Sequence, residues 1–261
     1  LAPFGLNALG TANPAAWDAA VGEARQTRSL LAGTRAILVV GNGGRALWDA
    51  FLADLDAHPE HLVEEPNPLD AFVRRAVLQA DPLWRTVRRR WFWAAADAEV
   101  HIDFRVLAHL AGLGQPGRLG LLMHPEFGPW MGLRAACFLD APLPFSPSAP
   151  RDWCDGCPAP CVSACPGGAF PAGQWAVDPC AAFKLTSSVC TGTCHARTAC
   201  PVAAAHRYPE AQLRYHSDRA SGRAALRSRL RLPESADPFQ GSGPYWGDWR
   251  KRVDVGGARG P

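Results

Sequence analysis

Lysine is almost missing from this chain: of 27 basic residues only Lys184 and Lys251 are lysines. Alanine, glycine and proline abound, so the bias follows the coding composition of a genome, and the arginines do not by themselves mark a polyanion-binding face. Net charge is only +3, too mild to demand a nucleic-acid partner. No run of about 18 apolar residues occurs, so no transmembrane helix and no membrane partner are expected. Nothing resembles a secretory signal, which points to a reducing cytoplasm and away from structural disulfides. Tyrosine is scarce as well, with Tyr208, Tyr215 and Tyr245 all late in the chain. Against these absences, 261 residues at 48% hydrophobic suffice for a full core and predict one large domain plus a small one.

Cysteine is present and strongly clustered. Eight of the nine cysteines fall between residues 154 and 200, as Cys154-x2-Cys157-x3-Cys161-x3-Cys165-Pro166 and Cys180-x9-Cys190-x3-Cys194-x5-Cys200-Pro201. Two runs that each close on Cys-Pro resemble bacterial ferredoxins with two [4Fe-4S] clusters, in which the last cysteine of each run ligates the other cluster. On that pattern Cys154, Cys157, Cys161 and Cys200 hold one cluster, and Cys165, Cys180, Cys190 and Cys194 hold the other. Zinc is the competing reading, because four-cysteine zinc sites also open with Cys-x2-Cys, though as separate pairs without the Cys-Pro closures. Disulfides are the third, and would need an oxidising compartment. His195 lies inside the second run, placed to tune a cluster or replace a ligand.

Elsewhere the chain alternates apolar runs with turn signals. Ala15–Leu31 has helical periodicity, Ala36–Val40 suits a buried strand, and Ala46–Leu55 reads as a helix. The Gly41-Asn42-Gly43-Gly44 stretch between them superficially matches a dinucleotide fingerprint, but no Rossmann alternation follows, so a plain strand-to-helix turn is the reading. Pro68–Ala80 and Leu83–Ala96 read as two helices parted at Asp81-Pro82. The second carries Arg85, Arg88, Arg89 and Arg90 among Trp84, Trp91 and Trp93. That mixture can contact RNA, but it more commonly forms a solvated helix face with the tryptophans turned inward. Phe104–Ala111 is a further helix ending at Gly112, and Leu119–Met123 and Arg134–Leu139 are expected strands. Residues 141–150 form a proline-rich linker. Cys137, in an apolar strand, is expected to be an inert buried thiol. Residues 232–261 suggest no role.

Residues 119–136 carry a resemblance. Gly120-x3-His124-Pro125-x-Phe127-Gly128-x-Trp130-x3-Arg134 resembles the core motif of the CblC (MMACHC-type) family, which binds and processes cobalamin. Ala2-Pro3-Phe4-Gly5, Ala36–Leu52, His109-Leu110-Ala111-Gly112 and Arg207-Tyr208-x-Glu210-x-Gln212-x2-Tyr215 with Arg223 resemble further segments of that family in the same order. The likeness spans roughly residues 2–140 and 206–225, and the cysteine runs occupy the interval. Epoxyqueuosine reductases are similar in combining a cobalamin domain with two [4Fe-4S] clusters. Their proton-donor Asp aligns with Ala98, beside Asp97, which puts that role in doubt here.

These resemblances imply an α+β fold: a nitroreductase-like cobalamin-binding core with a small ferredoxin-like two-[4Fe-4S] domain. The implied division is 1–145 for the core, 146–205 for the iron–sulfur domain and 206–261 for a segment packing back on the core. His109, Gly120, His124, Phe127, Gly128, Trp130, Arg134 and Arg223 are the implied pocket residues. Arg134 and Arg223 match the family's glutathione-contacting arginines, and bind another anion or form surface pairs if glutathione is not used. The histidines and aromatics also fit hydrogen-bonded or plain core roles, and no residue is singled out as catalytic. The expected activity is an oxidoreductase that reductively strips the upper axial ligand from cobalamin. Alternatives are a B12-dependent reductase of a separate organic substrate, or a carrier without turnover. Implied partners are cobalamin, an external low-potential electron donor of ferredoxin or flavodoxin type, and a cobalamin delivery or acceptor protein.

Overall fold

The computed structural model describes residues 1–81, 85–94, 100–147 and 152–239. Backbone contacts divide the chain into two compact units. The first comprises Leu1–Asp54, Asn67–Cys157 and Pro201–Arg207; the second comprises Leu55–Pro66, Pro158–Cys200 and Tyr208–Pro261.

The first unit is built on a four-stranded antiparallel sheet. Its strands are β1 (Ala8–Ala12), β2 (Ala36–Gly43), β3 (Arg89–Trp93) and β6 (Met131–Leu139), in the order β1-β2-β6-β3. Helices α1 (Pro14–Ala20), α2 (Thr27–Leu30), most of α3 (Ala46–Ala57), α5 (Pro68–Ala80) and α6 (Phe104–Leu110) complete it, with a small ribbon of β4 (Gln115–Pro116) and β5 (Leu122–Met123). Helix α5 forms because Leu69, Phe72, Val73, Ala76 and Val77 recur at helical spacing and all are buried. Helix α6 starts where the Asp103 carboxylate accepts the Arg105 and Val106 N–H groups at 3.0 and 3.1 Å. One core of Trp17, Ile37, Val39, Phe92, Leu107 and Phe138 lies against the sheet.

Three expected elements differ. The helix over Leu83–Ala96 is instead strand β3, with residues 83, 84, 95 and 96 outside the described ones. Arg89–Trp93 has period 2: Phe92 is buried edge-on to Phe138 at 5.2 Å, while Trp91 and Trp93 stack at 5.9 Å. Arg89 pairs with Asp81, Arg88 with Asp140 and Arg90 with the Leu30 carbonyl, and Arg88 and Arg90 stay exposed, so the solvated arginines are carried on and just before a strand rather than on a helix. The periodic stretch Ala15–Leu31 is broken at Val21-Gly22, where the backbone turns extended. The strand expected from Leu119 shrinks to Leu122–Met123, because Gly120 is left-handed and closes a turn onto the Gly117 carbonyl.

In the second unit lie α4 (Glu60–Glu64), α7 (Pro160–Ser163), α8 (Val177–Thr186), α9 (His195–Ala199), α10 (Glu210–Ser217) and α11 (Arg219–Arg229). The α10–α11 hairpin turns at Asp218, whose carboxylate caps α11 through the Ser221 N–H at 3.2 Å. Gly222 lets the hairpin close, since a Cβ there would meet the Tyr215 Cα at 2.5 Å. Among the described residues no helix is long and apolar enough to cross a membrane.

Candidate functional site

The strand-to-helix turn after β2 and the start of β6 bring several of the expected residues together. Strands β2 and β6 pair Val40 with Ala135 but Gly41 with Leu133, so β6 carries one extra residue, Arg134. This bulge turns the Arg134 side chain onto Asn42, whose Oδ1 accepts Arg134 Nε at 2.7 Å. Asp70 of α5 faces the same guanidinium, with Oδ1 3.7 Å from Nη1. Gly132 leaves room for this pair: a Cβ there would lie 3.2 Å from Arg134 Nη2 and 3.3 Å from Asn42 Oδ1. Asn7 pins the end of β2, accepting the Gly43 N–H at 2.7 Å and donating to its carbonyl at 3.2 Å.

Beside this turn sits an aromatic cluster. The five residues His124–Gly128 close on themselves through reciprocal backbone bonds of 2.9 Å, which turns the Phe127 ring between two histidines. His124 stacks on Phe127 at 4.8 Å, and His206 meets the ring edge-on at 4.9 Å. The Phe127 ring fills the space over Gly43, where a Cβ would lie 1.9 Å from Cδ2. Gly128, at φ +53°, fits tightly against Val202 and Ala203, within 3.0 Å of an added Cβ. Trp130 is fully buried, and its carbonyl accepts the Gly44 N–H at 2.8 Å. Gly43→Ala therefore forces Phe127 to move, and should destabilise the chain by about 1–3 kcal/mol in chemical denaturation. Adding Phe127→Ala should recover part of that loss through their coupling.

His124 has a fixed tautomer. Its Nδ1 accepts the Glu126 and Phe127 N–H groups at 3.1 and 3.2 Å, so in the neutral ring the proton sits on Nε2. Burial, with a smaller push from His206 and a counter-pull from Glu126, holds its pKa below the ordinary histidine value. A depressed folded pKa means the unfolded chain binds the proton first. Stability should therefore be full above the unfolded value of about 6.5 and fall as pH drops through the folded one. His124→Gln should flatten that limb in a pH series of urea melts.

The remaining expected residues lie apart. His109 is exposed on α6, and Gly120 closes the turn described above. Arg223 belongs to the second unit and is wholly buried. Its Nε and Nη2 hold Asp237 at 3.2 and 2.7 Å, Nη2 also holds the Leu62 carbonyl at 2.7 Å, and Nη1 reaches the carbonyls of Glu65 and Pro66 at 2.8 and 3.3 Å. All five guanidinium N–H groups are thereby used, which leaves none for an outside anion.

No disulfide joins any of the nine cysteines. Cys154 and Cys157 lie in the first unit, where Cys154 Sγ accepts the Arg118 N–H at 3.3 Å; Cys161 and Cys200 are buried in the second. Cys165, Cys180, Cys190 and Cys194 share the second unit. Burial raises the pKa of Cys180 and Cys190, and both sense Cys194 and Cys165 as negative neighbours. Cys165 Sγ accepts the Ala169 N–H at 3.4 Å, and Trp175 hydrogen-bonds Cys180. Cys180 and Cys190 thus lie near enough to Cys165 and Cys194 to feel their charge. Among the described residues the one group of possible ligands with all its atoms within 4.8 Å is His58, Glu60 and His61 at the start of α4. A tetrahedral zinc ion would hold its four sulfurs about 3.8 Å apart.

The residues missed from sequence are Asn7, Asn42, Asp70 and His206. Asn42 alone gave a signal, as a polar residue inside an apolar strand end.

The fold is similar to that of epoxyqueuosine reductase from Streptococcus thermophilus, with a TM-score of 0.51 at 13% identity over 79% of this chain and 65% of that one. It is also similar to a C. elegans B12-trafficking protein CblC, a human MMACHC homologue, with a TM-score of 0.56 at 15% identity over 87% of this chain and 90% of that one. The chain thus spans about 65% of the length of the reductase it matches. No family model and no curated protein matches the chain. The mixed helix-and-sheet fold is shared, and at these identities the fold is what the likeness carries.

Proposed function

We propose that this chain is an iron–sulfur, cobalamin-binding reductase that removes the upper axial ligand of cobalamin. One conjunction carries the reading: a fold similar to CblC over nearly the whole of both chains, and four cysteines gathered in one unit of the same polypeptide. In this reading the thiols hold a [4Fe-4S] cluster. They are spread more widely than a single zinc ion needs, and backbone N–H groups point at Cys154 and Cys165 as they do around cluster sulfurs. The stretch that bears them buries little apolar surface beyond Ala169, Phe170, Ala181 and Ala196, so a bound cluster would supply the cross-link its core lacks. By the ferredoxin pattern Cys154, Cys157, Cys161 and Cys200 hold the other cluster.

In this reading clusters held by these cysteines would supply one-electron transfer to a corrin bound by the first unit's residues. The protein's own share is to hold the macrocycle and keep water away, with His124, Phe127, Gly128, Trp130 and Arg134 lining the place. A donor of ferredoxin or flavodoxin type supplies the electrons. Anaerobically prepared protein mixed with cyanocobalamin and a reductant should lose the cyano-form spectrum and release cyanide. Tight binding with an unchanged spectrum would sink processing and leave carriage. The likeness to epoxyqueuosine reductase supports a second reading, reduction of a separate organic substrate by bound cobalamin. It predicts that cobalamin persists unchanged through many turnovers of that substrate.

A further inference from the structure

We propose that His58, Glu60 and His61 bind a divalent transition-metal ion of the zinc class, with residues that neither the cysteine set nor the Phe127 cluster uses. The run His58-Pro59-Glu60-His61 builds the site locally. Proline presets the second position of a type I turn, and Pro59 takes that conformation at φ −61° and ψ −24°. The His61 N–H closes the turn onto the His58 carbonyl at 3.1 Å. The imidazoles at its two ends are thereby brought side by side, with ring centres 5.0 Å apart. Glu60 opens α4 and turns its carboxylate to the same place, with Oε1 3.2 Å from His58 Nδ1. Each of the three offers one ligand atom, and these atoms all lie within 4.8 Å of one another.

A zinc ion bound to nitrogen and oxygen at about 2.0–2.1 Å holds neighbouring donors about 3.4 Å apart. The His58–Glu60 separation already matches, and both side chains are half-exposed, so small rotations bring the third atom in. Two nitrogen donors argue against magnesium and calcium, which take oxygen sets, whereas imidazole suits zinc, copper and nickel. Three protein ligands leave the fourth position to water, which reaches this surface freely. The platform beneath is fixed. Leu62 is wholly buried, and its carbonyl accepts Arg223 Nη2 at 2.7 Å, while the carbonyls of Glu65 and Pro66 accept Nη1. Helix α4 has only five residues, too few to persist without outside support. Arg223 secures its far end, and an ion on these three side chains secures the near end to the residue that follows α3.

Zinc chloride titrated by calorimetry into the whole chain, prepared without oxygen and with its cysteine centres filled, reads the site. At about pH 7.5 the wild-type protein should take up about one equivalent of zinc more than His58→Ala. Losing a ligand should weaken binding by more than the about tenfold to hundredfold that loss of a supporting partner costs. Excess magnesium should not compete. Zinc should also raise the melting temperature of the wild type and leave that of His58→Ala unmoved. Without the ion the two should melt together, because His58 is exposed. Equal zinc uptake by the two proteins, or uptake that magnesium abolishes, overturns the assignment. Both carry the same cysteines, so the difference between them is read whether or not the iron–sulfur and cobalamin reading holds. Should His58→Ala fail to fold, the wild type decides alone. Of its eight histidines, the assigned ring NMR signals of His58 and His61 must shift on adding zinc, and static signals overturn the proposal.

Discussion

On the proposed iron–sulfur reading, Cys180→Ala is expected to halve the iron bound, from roughly eight atoms to roughly four, and to remove about half of the sulfur-to-iron absorbance. Cys180 shares the second unit with Cys165, Cys190 and Cys194, and both Cys180 and Cys190 feel the charge of Cys165 and Cys194. Burial favours the neutral thiol at Cys180 and Cys190, so a thiolate there needs a cation in place of its proton. Removing one of four such ligands from a polar, thinly packed stretch leaves three, too few to complete the set that holds that cluster. The other set should keep its iron, because Cys161 and Cys200 are not touched. Cys137→Ala is the matched control. Its sulfur is buried in β6, with a pKa pushed up to about 12 by desolvation, and its removal should leave iron unchanged. Iron and acid-labile sulfide analysis of oxygen-free protein reads the outcome. One or two zinc ions without sulfide, or full iron in Cys180→Ala, would overturn the assignment.

What could be read in advance follows from which interactions are local. Helix α5 was legible to the residue because its apolar positions repeat at helical spacing and Pro68 starts it. Strands β2 and β6 were legible as apolar runs. Strand β1 was not: Ala8-Leu9-Gly10-Thr11-Ala12 is small and mixed, and its extended form comes from pairing with β2. Gly10 there gives room to α6, since a Cβ would lie 2.2 Å from the Ala111 carbonyl oxygen. Strand β3 misled because arginines and tryptophans suit a helix face as well as an alternating strand, and only the partner Asp81 and the Phe138 contact decide. The site shows the same division. His124, Phe127 and Gly128 lie in one short loop and could be grouped by motif. Asn42 and His206 join them only through the fold, and the bulge at Arg134 depends on strand register, which no single segment encodes.

Arg223→Met is expected to cost the second unit about 3–5 kcal/mol in chemical denaturation, the range for breaking a buried ion pair from one side. The side chain is wholly buried and so is Asp237, which it holds through two nitrogens, while three carbonyls on and after α4 depend on the same guanidinium. Phe239 packs under it, with the guanidinium carbon 5.2 Å from the ring centre. Arg227 remains 2.9 Å from Asp237 and should spare part of the loss. The acid limb should change as well. Burial pushes the Asp237 carboxyl upward, but hydrogen bonds from Arg223, the Phe239 N–H and Arg227 outweigh it and hold the pKa below the usual aspartate value. A depressed carboxyl contributes stability above its unfolded pKa of about 3.9 and loses it as pH falls through the folded one. In Arg223→Met that acid-dependent share should shrink, and Asp237→Asn added to it should restore some stability by removing the stranded charge. If Arg223 served a ligand instead, the variant would keep its unfolding midpoint and lose only binding. Its five filled donors argue for the fold.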